Sequence, residues 1–108
     1  EEKITLNILK KNNIIIALGG GAFLNKNIRN EILKNHFSFW LKLESDILIK
    51  RIKNSTKRPL AYNISDIELK NMIKERSKIY SKALYKINCN NLNKTKIMNK
   101  IINIYETN

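Results

Sequence analysis

The sequence has few of the residues that staple, break or bend a chain: one cysteine, one proline and three glycines in 108 residues. The lone Cys89 closes no internal disulfide, which rules out a disulfide scaffold and agrees with a reducing compartment. No Cys or His stands near it at metal-ligand spacing, so no metal site is expected. Long apolar runs are missing too. The longest, Ile14 to Leu18, falls far short of the ~20 residues that a membrane-spanning helix needs, and no membrane partner is expected. The N-terminus, Glu1-Glu2-Lys3, has neither an initiator Met nor a basic n-region, so it reads as a cut, with neither a complete start nor a signal peptide visible. A cytoplasmic location follows as the expectation. There is no G-x-x-x-x-G-K-[ST] and no G-x-G-x-x-G.

Acidic residues are also scarce, at 9 against 21 basic ones, for a formal net charge of +12. Clustered positive charge would point to nucleic acid, since Lys and Arg neutralise phosphates. Here the lysines are scattered along the whole chain among abundant Asn and Ile, as an AT-rich coding bias would produce. A solvated basic surface is therefore the reading preferred over a nucleic-acid face.

Ile4, Ile8 and Leu9 recur at helical spacing until Lys10-Lys11-Asn12-Asn13 ends the run. Ile14 to Leu18 is short, wholly apolar and largely β-branched, the pattern of a parallel strand covered on both faces, and Gly19-Gly20-Gly21 stops it. Residues 27–34 read as an amphipathic helix. Phe37, Phe39, Leu41 and Leu43 alternate with Ser38, Trp40 and Lys42, which predicts a strand with one strongly buried face. Ser45 can cap a helix over 46–52. Residues 53–63, with the only Pro at Pro59, read as an exposed loop or lid. Ser65-x-x-Glu68 has the capping-box form and predicts a helix to about 82. A short strand at 85–88 and a helix at 93–105 close the chain. The order predicts one α/β layer domain with a parallel sheet and no internal repeat.

Two constellations can carry chemistry. A strand that ends in three glycines lets backbone N–H groups approach an oxygen-rich ligand, beyond the carboxyl end of the sheet where α/β folds bind theirs. A tight turn alone would need one glycine, and this chain has no glycine elsewhere. The second is arginine: Arg29, Arg51, Arg58 and Arg76 stand out in a chain that otherwise uses Lys, and Arg forks bidentately onto phosphate or carboxylate. Taken singly, each has a plain alternative. Arg58 can be merely exposed, Arg51 can complement a helix C-terminus, and Arg76 can pair with Glu75 or another acid. His36, alone at a helix end, reads as structural, Trp40 as core, and Tyr62, Tyr80 and Tyr85 as core or rim packing.

In order, Ile16-Ala17-Leu18-Gly19-Gly20-Gly21, Leu48-x-x-Arg51, Arg58-Pro59-Leu60 and Arg76-x-x-Ile79-Tyr80 resemble the motifs of the shikimate kinase family, over nearly the whole chain. Glu1 lies where the family places the Glu of its F-R-x-x-E motif. The resemblance implies a three-layer α/β/α parallel sheet of the P-loop kinase type, missing its N-terminal P-loop strand, with residues 1–108 as a single partial domain. The implied reaction moves the γ-phosphate of ATP, with Mg²⁺, to the 3-hydroxyl of shikimate. Gly20 and Gly21 would present N–H groups to shikimate, Arg76 would pair with its carboxylate, and Glu1 would hold substrate-binding arginines. Arg58 would act on the transferring phosphoryl group, Arg51 would pack on the adenine, and Asn93 would line the far side of that pocket.

The family pattern is broken at Ala61, Lys78 and Ala83-Leu84. Its Walker A loop, Mg²⁺-binding hydroxyl and catalytic Asp have no counterpart here, so this chain alone is expected to be inactive. The complete enzyme is expected to be a monomer without nucleic-acid partners. In this fold the P-loop strand separates the one that ends at Gly19 from the one that contains Trp40, so a gap is expected in the sheet. The alternatives are another small-molecule or nucleotide kinase of the same fold, and a basic nucleic-acid-binding module.

Overall fold

The structure is a computed structural model that describes residues 2–54 and 64–108. Five helices and two strands follow one another: α1 (Glu2–Leu9), α2 (Lys26–Asn35), β1 (Phe39–Lys42), α3 (Ser45–Lys53), α4 (Asp66–Tyr80), β2 (Tyr85–Asn88) and α5 (Lys94–Glu106). A single 3₁₀ turn, Ala22–Leu24, follows the glycines. Three helices start on the side-chain caps that their sequences offer. Asn25 accepts from the Ile28 N–H at 3.0 Å, Ser65 from that of Glu68 at 3.2 Å, and Asn93 from that of Lys96 at 2.8 Å.

The best-buried cluster is Leu9, Phe23, Ile28 and Ile32, where α1, the 3₁₀ turn and α2 meet, and Ile79, Tyr80 and Ala83 close it from the end of α4. The Ile28 and Ile32 spacing puts both on one buried face of α2, while Leu33, expected on the same stripe, is exposed. His36 ends α2, and its Nε2 lies 2.9 Å from the Leu9 carbonyl oxygen. Since a carbonyl only accepts, Nε2 carries the proton, and the ring ties the ends of two helices together. His36 is thus structural.

β1 and β2 pair in parallel, with Phe39 opposite Tyr85 and Lys42 opposite Asn88. Side chains fix both ends of the ladder: Ser38 Oγ accepts from the Leu84 N–H at 2.8 Å, and Asn90 Oδ1 from the Glu44 N–H at 3.0 Å. The parallel α/β architecture is the one expected.

Three expectations fail locally. Ile14 to Leu18 joins no strand, and Ile15 is fully exposed instead of covered on both faces. A strand needs a neighbour for its N–H and C=O groups, and the other edge of β1 has none among the described residues. For the same reason the alternating face is only half covered, with Phe37 44% and Leu41 49% exposed. β1 also shortens to four residues. Thirdly, Ser45 does not cap α3. Glu44 holds that position without a side-chain bond, and Ser45 is the first helical residue.

Cys89, just beyond β2, is buried, and its S–H donates to the Ile87 carbonyl at 3.4 Å. Burial pushes its pKa above the ordinary 9.0, and the charges of Arg51 and Lys100 pull part of that back. A raised pKa means that folding favours the neutral thiol. The stability this gives is complete below the ordinary value and is lost as pH climbs through the higher one. We expect thiol-reagent labelling at pH 8 to be slower by about tenfold or more in the folded chain than in urea. Equal rates would contradict the burial.

Candidate substrate-binding site

The glycine turn is held from three sides. Within it, the Ala22 N–H donates to the Gly19 carbonyl at 3.1 Å and the Leu24 N–H to that of Gly21 at 2.9 Å. From α2, Arg29 Nη1 donates to the Phe23 and Leu24 carbonyls at 3.2 and 3.1 Å, clasping the 3₁₀ turn. From α4, the Tyr80 hydroxyl donates to the Gly20 carbonyl at 3.2 Å. Gly20 has φ +46°, in the region where only glycine sits without strain. A Cβ on Gly19 or Gly20 would meet nothing within 4 Å, so packing does not demand these glycines. Open space above a bare backbone is what a ligand needs. Among the described residues the N–H groups of Gly20 and Gly21 have no acceptor.

Arg76 lies on α4, four residues before Tyr80, and therefore on the helix face that meets the glycine turn. Its obvious acidic neighbour is engaged elsewhere, because Glu75 binds Lys78 at 3.1 Å. No described residue forms a salt bridge with Arg76. Among the described residues the ion-pair account of Arg76 therefore finds no partner.

Arg51 is exposed in the last turn of α3, where a cation complements the helix dipole, and its charge reaches Cys89 in the loop before α5. That places α3 beside the segment that leads to Asn93. The Oδ1 of Asn93 is occupied by its capping bond, but its amide N–H groups remain as donors. Glu1, Arg58 and Tyr62 lie outside the described residues. The base of the expected lid is nevertheless defined, since Lys53 and Asp66, which flank residues 54–65, form an ion pair at 2.5 Å.

The glycine turn and Arg76 lie on elements joined by the Tyr80 bond to Gly20, and sequence reasoning missed what braces them. The Arg29 clasp had no signal beyond the choice of Arg over Lys. The Tyr80 bond to Gly20 joins residues 60 positions apart, which no local pattern announces. Of the other aromatics, Tyr80 packs between Phe23 and Trp40, and Tyr85 stacks on Phe37 and Phe39. Trp40 is half-buried against Tyr80.

No described helix is long and apolar enough to cross a membrane. The fold is that of the crystal structure of a shikimate kinase from Bacteroides thetaiotaomicron, with a TM-score of 0.76 at 20% identity over 98% of this chain and 64% of the other. That match makes the architecture a P-loop kinase type. In sequence the chain is 42% identical over 89 residues to a shikimate kinase of Bartonella quintana, covering 82% of this chain and 42% of the relative. It is 34% identical over 103 residues to one of Bartonella henselae, covering 94% and 49%. The chain thus spans about half the length of the curated relatives it matches or somewhat less. A family model described as shikimate kinase matches residues 1–106, and on that match the chain belongs to the shikimate kinase family.

Proposed function

We propose that this chain is the acceptor-binding and lid portion of an enzyme that phosphorylates the 3-hydroxyl of shikimate. The observation that carries the reading is the pairing of two unspent glycine N–H groups with an arginine that has no acidic partner among the described residues, on elements in direct contact. Backbone N–H groups at Gly20 and Gly21 suit hydroxyl oxygens, and the fork of Arg76 suits a carboxylate. Shikimate has both. Glu1 would orient the arginine side of this subsite.

ATP is the co-substrate that the family uses, and this chain fits only one end of it. Arg51 and the amide donors of Asn93 flank an adenine subsite. The phosphates have no G-x-x-x-x-G-K-[ST] to cradle them. Among the described residues no three His, Cys, Asp or Glu side chains come together. Arg58, from the loop between α3 and α4, is the residue of this chain that would face the transferring group.

In a polypeptide completed with its phosphate loop, Arg76→Lys should raise the KM for shikimate ~10- to 100-fold, because a charged hydrogen-bonded pair is worth roughly 1.5 to 3 kcal/mol. An unchanged KM would remove Arg76 from the subsite. Turnover of gluconate or a nucleoside monophosphate in preference to shikimate would replace the substrate altogether.

A further inference from the structure

The bond from Tyr80 to Gly20 does more than join two elements. The Gly20 carbonyl and the Gly21 N–H belong to one peptide unit, and no cis peptide occurs in the described chain. In a planar trans unit the C=O and the N–H point in opposite directions. By holding the oxygen at 3.2 Å, the Tyr80 hydroxyl therefore aims the Gly21 N–H away from the α4 side of the turn, and that N–H meets no acceptor among the described residues.

A peptide between two glycines is the easiest kind to turn over, since neither flanking residue has a Cβ to oppose it. Turned over, it would offer an acceptor oxygen where the ligand needs a donor. The hydroxyl that prevents this is presented rigidly. The Tyr80 ring lies 6.4 Å from that of Phe23 and 6.1 Å from that of Trp40, packed from two directions. Arg76 stands one turn earlier on the same helix.

We infer that Tyr80 is a positioning residue for the acceptor: it locks the Gly20–Gly21 peptide with its N–H toward the ligand and fixes that donor relative to Arg76. The inference rests on the shikimate reading for the identity of the ligand, but not for the lock itself. A donor locked in this way selects an oxygen-bearing acceptor and disfavours one that presents only donors.

Tyr80→Phe removes the hydroxyl and keeps the ring. The three glycines are contiguous and are the only ones in the chain, so their amide resonances form a self-contained reporter. In the Phe variant the Gly21 amide should shift and its solvent exchange should quicken about fivefold to tenfold, with the unfolding midpoint unchanged. In the completed enzyme the KM for shikimate should rise by a similar factor, while kcat and the KM for ATP stay put. That kinetic comparison stands whether or not the 108-residue chain alone gives a dispersed spectrum.

Unaltered glycine amides with an unaltered KM for shikimate in Tyr80→Phe would overturn the inference. So would a change seen only in Tyr80→Ala, which would reduce Tyr80 to packing. If shikimate leaves the wild-type glycine amides untouched while Tyr80→Phe still moves Gly21, the shikimate reading fails and the lock survives.

Discussion

Joined to a segment that supplies one parallel apolar strand beside β1, the chain should change from a broad, weakly cooperative unfolding transition to a sharp one. Ile14, Ile15, Leu18 and Leu41 are all exposed at present. Fully burying an exposed side chain of this kind contributes about 1.5 to 3 kcal/mol, and since only Ile15 is fully exposed while the other three are a third to a half exposed, the four together represent roughly 3 to 7 kcal/mol before the entropy of ordering the new strand. An entire domain is stable by only about 5 to 15 kcal/mol. The gain from such a neighbour is therefore a large part of the net stability of a small fold. Urea unfolding followed by far-ultraviolet circular dichroism would measure this. A steep two-state transition of the 108-residue chain alone, with the m-value its size warrants, would show that the exposed strand partners do not matter. Phosphorylation of shikimate should appear only with the completed polypeptide, because the phosphate loop would arrive with that strand.

Arg58→Ala in the completed enzyme should reduce kcat by roughly 10³- to 10⁵-fold, the range found when an arginine that neutralises a transferring phosphoryl group is removed. The residue follows α3 in a segment whose two ends are drawn together by the Lys53 and Asp66 ion pair. That pair is partly exposed and contributes at most about 1 kcal/mol. Because Arg58 is assigned to the moving group and not to the resting acceptor, the KM for shikimate should change little. Arg58→Lys should recover only part of the loss, since a point charge replaces a planar fork. A fall of less than about tenfold in the Ala variant would take Arg58 out of the chemistry.

How much could be read in advance differs by kind of feature. Helices were readable where a stripe and a cap coincide. The Ser65-x-x-Glu68 pattern gave the start of α4 to the residue, and the polar Asn25 and Asn93 sit at the starts of α2 and α5. β2 fell on the expected residues, 85–88. Ser45 misled because Glu44 is fastened by Asn90, a residue 46 positions away, and tertiary contacts choose the cap there. Ile14 to Leu18 has the composition of a buried strand, yet composition only states what a segment would do if neighbours were present. The glycine turn and Arg76 stand out in the sequence because unusual residues mark them. Tyr80 and Arg29 act on main-chain oxygens, and a carbonyl leaves no trace in a sequence.

The parallel pairing of β1 with β2 also fixes an order of events. Parallel strands cannot be joined by a tight hairpin, and here Ser38 and Leu84, which meet at one end of the ladder, are 46 residues apart. A contact that distant in sequence closes slowly, whereas α1, the glycine turn and α2 can assemble from neighbours. During synthesis the turn therefore exists for the time needed to make another 60 residues before Tyr80 can reach Gly20. Under the lock proposed for Tyr80, the Gly20–Gly21 peptide is free to face either way through that interval, and its orientation is chosen only once α4 has been made.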